Sequence, residues 1–262
     1  MNKSKIISTA LALILTAAMI PSATLKADAT GFDPNSVGGT GSNSIPAWKA
    51  INEDVKGWLR IPNTNINWPI VYSEKNNGTY IALDYYGNKN KNGVIYADGW
   101  TKFGDKDSIS RNTVLYGHNW KNISANPRIT DPGDVMFEQL TSFHHLDFAQ
   151  KTPYIHYSTE DANMTWKVFA AFYTEDKFNY IDSDPNDANF KKIIETAKKK
   201  SLHNYDVDVN ENDKIITLST CTRAYGPTEK QRFVVMARLM RDGEKIEEVS
   251  ITENKNFERP KL

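Results

Sequence analysis

The alternation of apolar and polar positions divides the chain into short β-like runs with a few helical stretches between them. Residues 46–56 carry Trp48, Ile51 and Val55 on one helical face, with Ser44 as a cap, Pro46 in the first turn and Gly57 as a stop. Residues 58–61 form a β-like piece ending at Pro62, and Ile66, Trp68 and Ile70 alternate as in a half-buried strand. Further β-like runs fall at 80–86, 94–97 and 113–116, the last leading into Gly117-His118-Asn119. Residues 134–148 predict one or two helical turns through Met136, Leu140 and Phe143. Residues 153–158 and 165–173 read as strands, the second rich in aromatic and β-branched side chains. The clearest helix spans 185–200, capped by Asp184, with Phe190, Ile193, Ile194 and Ala197 as its apolar stripe. Two strong β-runs follow at 214–220 and 232–239, and beyond Gly243 the pattern fits a short strand or a polar tail. Many short strands with turn signals between them predict a mainly β barrel or sandwich.

The first residues follow a different rule. Lys3 and Lys5 precede a mostly apolar stretch at 6–20, and Ala27-Asp28-Ala29 has the form of a cleavage site. The apolar stretch is shorter than the ~20 residues of a comfortable membrane span, which points to a cleaved signal peptide, with a retained anchor as the other reading. Both readings place the protein outside the cytoplasm. Residues 30–45, rich in Gly, Ser, Asn and Thr, read as a flexible linker, and residues 46–262 as one folded domain.

Composition narrows the chemistry. The 32 basic and 32 acidic side chains cancel, so the chain lacks the basic excess of a nucleic-acid binder. No metal-ligand spacing is evident, and no cofactor is implied. There is one cysteine, Cys221, at the end of the run Thr217-Leu218-Ser219-Thr220-Cys221. A single cysteine forms no internal disulfide. It is a buried small side chain, an intermolecular link or a reactive thiol. A thiol nucleophile needs an acid–base partner and a group that stabilises an oxyanion. Of the five histidines, His118 is the best placed, at the exit of an apolar strand after a glycine, while His144, His145, His156 and His203 stay open on residue pattern alone. Arg232 opens the strand after Cys221, and a hairpin through the intervening loop brings it back beside the thiol. Arg223 lies in that loop, where it faces solvent.

Taken together, these motifs resemble those of a known family. Thr217-Leu218-Ser219-Thr220-Cys221 is similar to the T-L-x-T-C signature of sortases. Leu115-Tyr116-Gly117-His118-Asn119 resembles the segment carrying that family's histidine, and Arg232 falls where its arginine belongs. The stretch from Ile51 through Gly57-Trp58-Leu59 and Ile61-Pro62 to Pro69-Ile70-Val71 resembles the opening motif of class B, as does a long helix between two late strands. The resemblance implies an eight-stranded sortase-type β-barrel with an N-terminal helix. It implies a cysteine transpeptidase that cleaves a C-terminal sorting motif of exported proteins after its threonine. The acyl group then passes to a peptidoglycan cross-bridge amine or a pilin lysine. In that scheme Cys221 is the nucleophile, His118 the acid–base and Arg232 the oxyanion or substrate-backbone partner. Ser219, Thr220, Tyr180, Ile181, Asn77 and Ile81 match substrate-binding positions. The family's usual N-terminal anchor would place the enzyme on the extracellular face of the cytoplasmic membrane, and a cleaved signal would make it secreted. One departure stands out. Some class B members carry an acidic residue shortly after the cysteine, where this chain has Thr222-Arg223. The alternatives are a cysteine hydrolase that releases the acyl group to water and a non-catalytic surface binding module.

Overall fold

The computed structural model describes residues 41–261. The signal or anchor segment at 1–29 and the linker residues 30–40 lie outside the described residues. Among the described residues no helix is long and apolar enough to cross a membrane.

Eight strands close into a barrel. In chain order they are β1 (Val55–Arg60), β2 (Asn67–Tyr72), β3 (Tyr96–Ala97), β4 (Asn112–Tyr116), β5 (Tyr154–Ser158), β6 (Asn163–Glu175), β8 (Ile215–Cys221) and β9 (Gln231–Leu239), with β7 (His203–Tyr205) falling outside it. Around the barrel the order is β1-β2-β3-β4-β8-β9-β6-β5, closed by the pairing of β1 with β5. The pairs β2–β3 and β4–β8 are parallel, and the other barrel pairs are antiparallel. Closure leaves no open edge along the barrel strands. The core holds Leu59, Ile155, Trp166, Phe172, Leu218 and Val235, each fully buried. Outside the barrel, β7 pairs with β10 (Ile251–Glu253), so the stretch after Gly243 does return a short strand.

Among the described residues three α-helices decorate the barrel. α1 (Gly41–Lys49) and α2 (Leu146–Lys151) are short, and α3 (Asp187–Lys200) is the long helix between β6 and β7. α1 covers a second apolar cluster built from Ile45, Val55, Trp58, Val71, Tyr80, Tyr85 and Val94. α3 buries Phe190, Ile193, Ile194 and Ala197, the stripe its periodicity predicts.

Several elements differ from expectation, each for a local reason. The first helix starts earlier, within the stretch read as linker, and ends at Lys49 rather than 56. The Asn52 carboxamide accepts the Asp54 amide at 3.0 Å and donates to the Tyr80 hydroxyl at 3.1 Å, which turns the chain into β1. The run at 80–86 is not a strand. It begins in a 3-10 turn, Thr79–Ile81, and the Asp84 carboxylate then takes the amides of Tyr86 and Asn88, both at 2.9 Å. Such local side-chain bonds compete with a sheet ladder. The cap of α3 is Asn186, whose side chain accepts from the Asn189 amide, whereas Asp184 pairs with Lys102 at 2.7 Å.

Candidate active site

The site forms where β4 and β8 leave the barrel side by side. Their parallel register matches Leu115 with Leu218 and Tyr116 with Ser219. Carried two residues further, it brings His118 to the level of Cys221. The pairing extends past the strands, since the Thr220 hydroxyl donates to the Gly117 carbonyl at 2.7 Å. Every residue of β8 is buried except the last, Cys221, which is exposed. A thiol kept for packing alone would lie inside with its neighbours, and this one is in solvent.

On the other side of β8, the antiparallel register of β8 and β9 sets Arg232 directly opposite Cys221. Directly opposed residues in such a pair project from the same face. The Arg232 Nη1 donates to the carbonyls of Glu229 at 2.7 Å and Gln231 at 2.9 Å, which fixes the guanidinium at the mouth of the β8–β9 loop. That loop is braced by the buried Gln231 side chain. It takes the Tyr225 amide at 2.8 Å and donates to the Gly226 carbonyl at 2.8 Å. Arg223 is exposed and pairs with Glu229, in keeping with a solvent-facing loop arginine.

His118 is half-buried. Gly117 before it is required by space, since a Cβ there would lie 2.8 Å from the Phe137 ring. The His118 carbonyl accepts the Phe137 amide at 3.0 Å. Its imidazole Nε2 lies 2.8 Å from the Ile81 carbonyl, and its ring stacks on Trp120 with centroids 4.6 Å apart and planes at 26°. The loops bearing the thiol and the imidazole are tied to each other. The Arg223 amide and the Thr222 hydroxyl both donate to the Ile123 carbonyl, at 2.9 and 3.2 Å. The other four histidines serve elsewhere. His144 bonds the Tyr173 hydroxyl, His145 the Pro127 carbonyl, His203 the Phe143 carbonyl and His156 the Thr165 hydroxyl.

The six expected substrate contacts divide in two. Ile81 and Ile181 are exposed, at 45% and 41%. Ser219, Thr220 and Tyr180 are buried, and their hydroxyls are engaged inside the protein: Tyr180 with Ser219 at 2.9 Å, Thr220 with Gly117. Asn77 is half-buried and locked at both ends, donating to Asp98 at 2.8 Å and accepting the Gly99 amide at 2.7 Å.

Sequence reasoning missed a polar layer beneath the thiol. The buried Asp98 carboxylate collects Asn77, the Tyr116 hydroxyl at 3.0 Å and the Trp100 amide at 3.1 Å. The Tyr96 ring lies tilted against Tyr116, with centroids 5.4 Å apart. Burial, then the charges of Cys221 and Asp98, push the Tyr96 hydroxyl up to about 12, with Arg232 opposing. Tyr116 is raised too, by burial and then by Asp98, and Tyr180 by burial, partly offset by its bond to Ser219. All three tyrosines are therefore neutral at physiological pH. The period of two along β4 and β8, which puts Tyr116 with His118 and Ser219 with Cys221, was the signal for part of this layer. Asp98 and Trp120 sit in loops with no such signal.

A closed eight-stranded barrel with an exposed thiol at the end of one strand, an arginine on the next and a histidine at the exit of a parallel third defines a sortase-type cysteine transpeptidase. Comparison with known proteins gives the same answer. Residues 59–240 match the sortase domain, and the chain belongs to the sortase family. Its relatives include sortase B of Staphylococcus aureus, 33% identical over 193 residues that cover 73% of this chain and 72% of the relative. Sortase B of Listeria monocytogenes is 31% identical over 191 residues, covering 72% and 71%. Among solved structures, a Staphylococcus aureus sortase B–substrate complex and a sortase B complexed with triglycine each superpose with a TM-score of 0.64 at 30% identity. Each match covers 77% of this chain and 87% of the other. The likeness is to class B.

Proposed function

We propose that the enzyme cleaves a C-terminal sorting motif after its threonine and transfers the acyl group to an amine of the cell wall or of a pilin lysine. Cys221 is the nucleophile, His118 the acid–base and Arg232 the oxyanion or substrate-backbone partner. The observation that carries this reading is the register: one exposed thiol at the end of a buried strand, with Arg232 as its cross-strand partner and His118 just past the end of the parallel strand.

The chemistry follows in two halves. In the first, Cys221 Sγ attacks the threonine carbonyl carbon, and the oxyanion collects near the Arg232 guanidinium. A cation already in place there costs no reorganisation during the reaction. The C–N bond breaks as protonated His118 gives its proton to the departing amine. In the second, an incoming amine attacks the thioester carbonyl, its proton goes to His118, and the C–S bond breaks. The exposed apolar side chains of Ile81 and Ile181 are suited to the flanks of a bound peptide, with Asn77, Ser219, Thr220 and Tyr180 supporting the groove behind them. An amine acceptor also suits the relatives, one of which was crystallised with triglycine. The exported domain is held at the outer face of the membrane by residues 1–29 or released from it by their cleavage.

A peptide library bearing varied sorting motifs, incubated with the full chain with and without triglycine, tests the reading. Triglycine joined to the cleaved threonine supports it. Release to water alone in both samples would point to the hydrolase reading instead.

A further inference from the structure

In many acid–base sites a carboxylate fixes which imidazole nitrogen carries the proton. Here Thr222-Arg223 follow the cysteine, and two other groups hold the ring. The Ile81 carbonyl lies 2.8 Å from Nε2, and a carbonyl oxygen only accepts, so the hydrogen sits on Nε2. Across the ring face lies the Trp120 indole, at 4.6 Å and 26°. Both holders are rigidly mounted. Ile81 closes the 3-10 turn Thr79–Ile81, which is anchored by buried Tyr80. Trp120 lies in a loop cross-braced by Asn119 and Asn122, with its own amide on the buried Glu138 carboxylate. Trp120 is 50% exposed, and its ring face toward the protein lies on the imidazole.

We infer that the Ile81 carbonyl and the Trp120 indole act as a positioning pair that locks His118 in its Nε2–H tautomer, leaving Nδ1 as the nitrogen that exchanges the proton. The assignment rests on the reading of His118 as the acid–base. It makes each half-reaction specific. On acylation Sγ–C forms, C–N breaks, and the proton on Nδ1 of the imidazolium moves to the departing amine nitrogen. On deacylation the incoming amine's proton moves to Nδ1, N–C forms and the thiolate leaves. Nε2 keeps its hydrogen on Ile81 throughout. The neutral ring then has one acceptor nitrogen, and the stacked indole restrains the ring's rotation. The imidazolium of the intermediate state also lies over an indole face, an arrangement that attracts a cation.

The test uses the full chain with its histidine rings labelled with 15N, His118 being identified by the signal lost in His118→Gln. In its neutral form, wild-type His118 should show a protonated Nε2 and an unprotonated Nδ1. Trp120→Ala should move both nitrogens toward tautomer-averaged positions and lower kcat on the order of 10-fold with KM little changed, a part of what general acid–base catalysis supplies. Trp120→Phe should restore most of both. A protonated Nδ1 in the wild type, or a Trp120→Ala variant with the wild-type tautomer and kcat, would overturn the assignment. His118→Ala, assayed in parallel, separates the two levels. An inactive His118→Ala beside a fully active Trp120→Ala overturns the positioning pair and leaves the acid–base reading standing, whereas activity surviving in His118→Ala removes the acid–base reading and this inference with it.

Discussion

Cys221 and Arg232 are register partners, facing each other at the last rung of the β8–β9 ladder. The rung above it pairs Thr220 with Phe233, both buried, so the thiol and the guanidinium share the first position at which this ladder meets solvent. An exposed thiol and a cation are thus placed by backbone hydrogen bonds, and no flexible linker sets their spacing.

Replacing Arg232 tests that placement. Arg232→Ala should lower kcat/KM by about 100- to 1,000-fold, the usual cost of losing one oxyanion donor. Arg232→Lys should recover little of it, because a point charge replaces a planar fork. Steady-state kinetics on a cleaved peptide provide the measurement, and wild-type rates in Arg232→Ala would place the oxyanion elsewhere.

Tyr180 and Ser219 supply a second test, of support behind the groove. Their hydroxyls bond at 2.9 Å inside the protein, and neither residue is more than 5% exposed. Tyr180→Phe leaves the Ser219 hydroxyl buried without that partner and should cost about 1 kcal/mol of stability. Urea denaturation of the variant measures it. An unchanged midpoint would mean that water or a shifted neighbour replaces the bond.

Acid should weaken the fold well before it protonates ordinary carboxylates. Burial, then the neighbouring His145 and His203, depresses His144 from 6.5 to about 4, and burial, then Arg60, depresses His156 from 6.5 to about 4. A group depressed on folding binds its proton more readily in the unfolded chain. The stability these two contribute is complete above pH 6.5 and drains away as pH falls toward 4. Glu244 adds a later loss. Its hydrogen bonds from Arg238 hold it down at about 2 against 4.5, so its contribution fades only below pH 4.5. Urea midpoints should stay level from pH 7.5 to about 6.5 and fall from there to 4, with His156→Phe flattening part of that slope. A flat profile over that window would contradict the burial of both histidines.

The long, strongly patterned elements were legible in the sequence because they are markedly apolar. α3 hides the stripe its period predicts, and β6, β8 and β9 are β-prone runs buried along nearly their whole length. The closure of the barrel was not legible from the pattern. It depends on the pairing of β1 with β5 and the parallel pairing of β4 with β8, which join strands far apart in the chain. The run at 80–86 misled because Tyr80 and Tyr85 are apolar enough for a strand yet pack under α1, while Asp84 bonds its own neighbours' amides. Within the site, Cys221, His118 and Arg232 lie at or just past the ends of strong strands, where the sequence pattern marks positions as candidates. Asp98 and Trp120 belong to loops, where function depends on a three-dimensional meeting that no local period records.

The central claim is that Cys221 carries the acyl group between two amines, and mass spectrometry of the intact protein tests it most directly. A sorting-motif peptide selected from the library is added to wild type and to Cys221→Ala, without and then with triglycine. Wild type should gain the mass of the acyl fragment on Cys221 and lose it when triglycine arrives, with the fragment recovered joined to triglycine. Cys221→Ala should gain nothing while still folding, since an exposed side chain contributes little to stability. Cleavage by Cys221→Ala, or a wild-type adduct that triglycine never collects, would contradict the account.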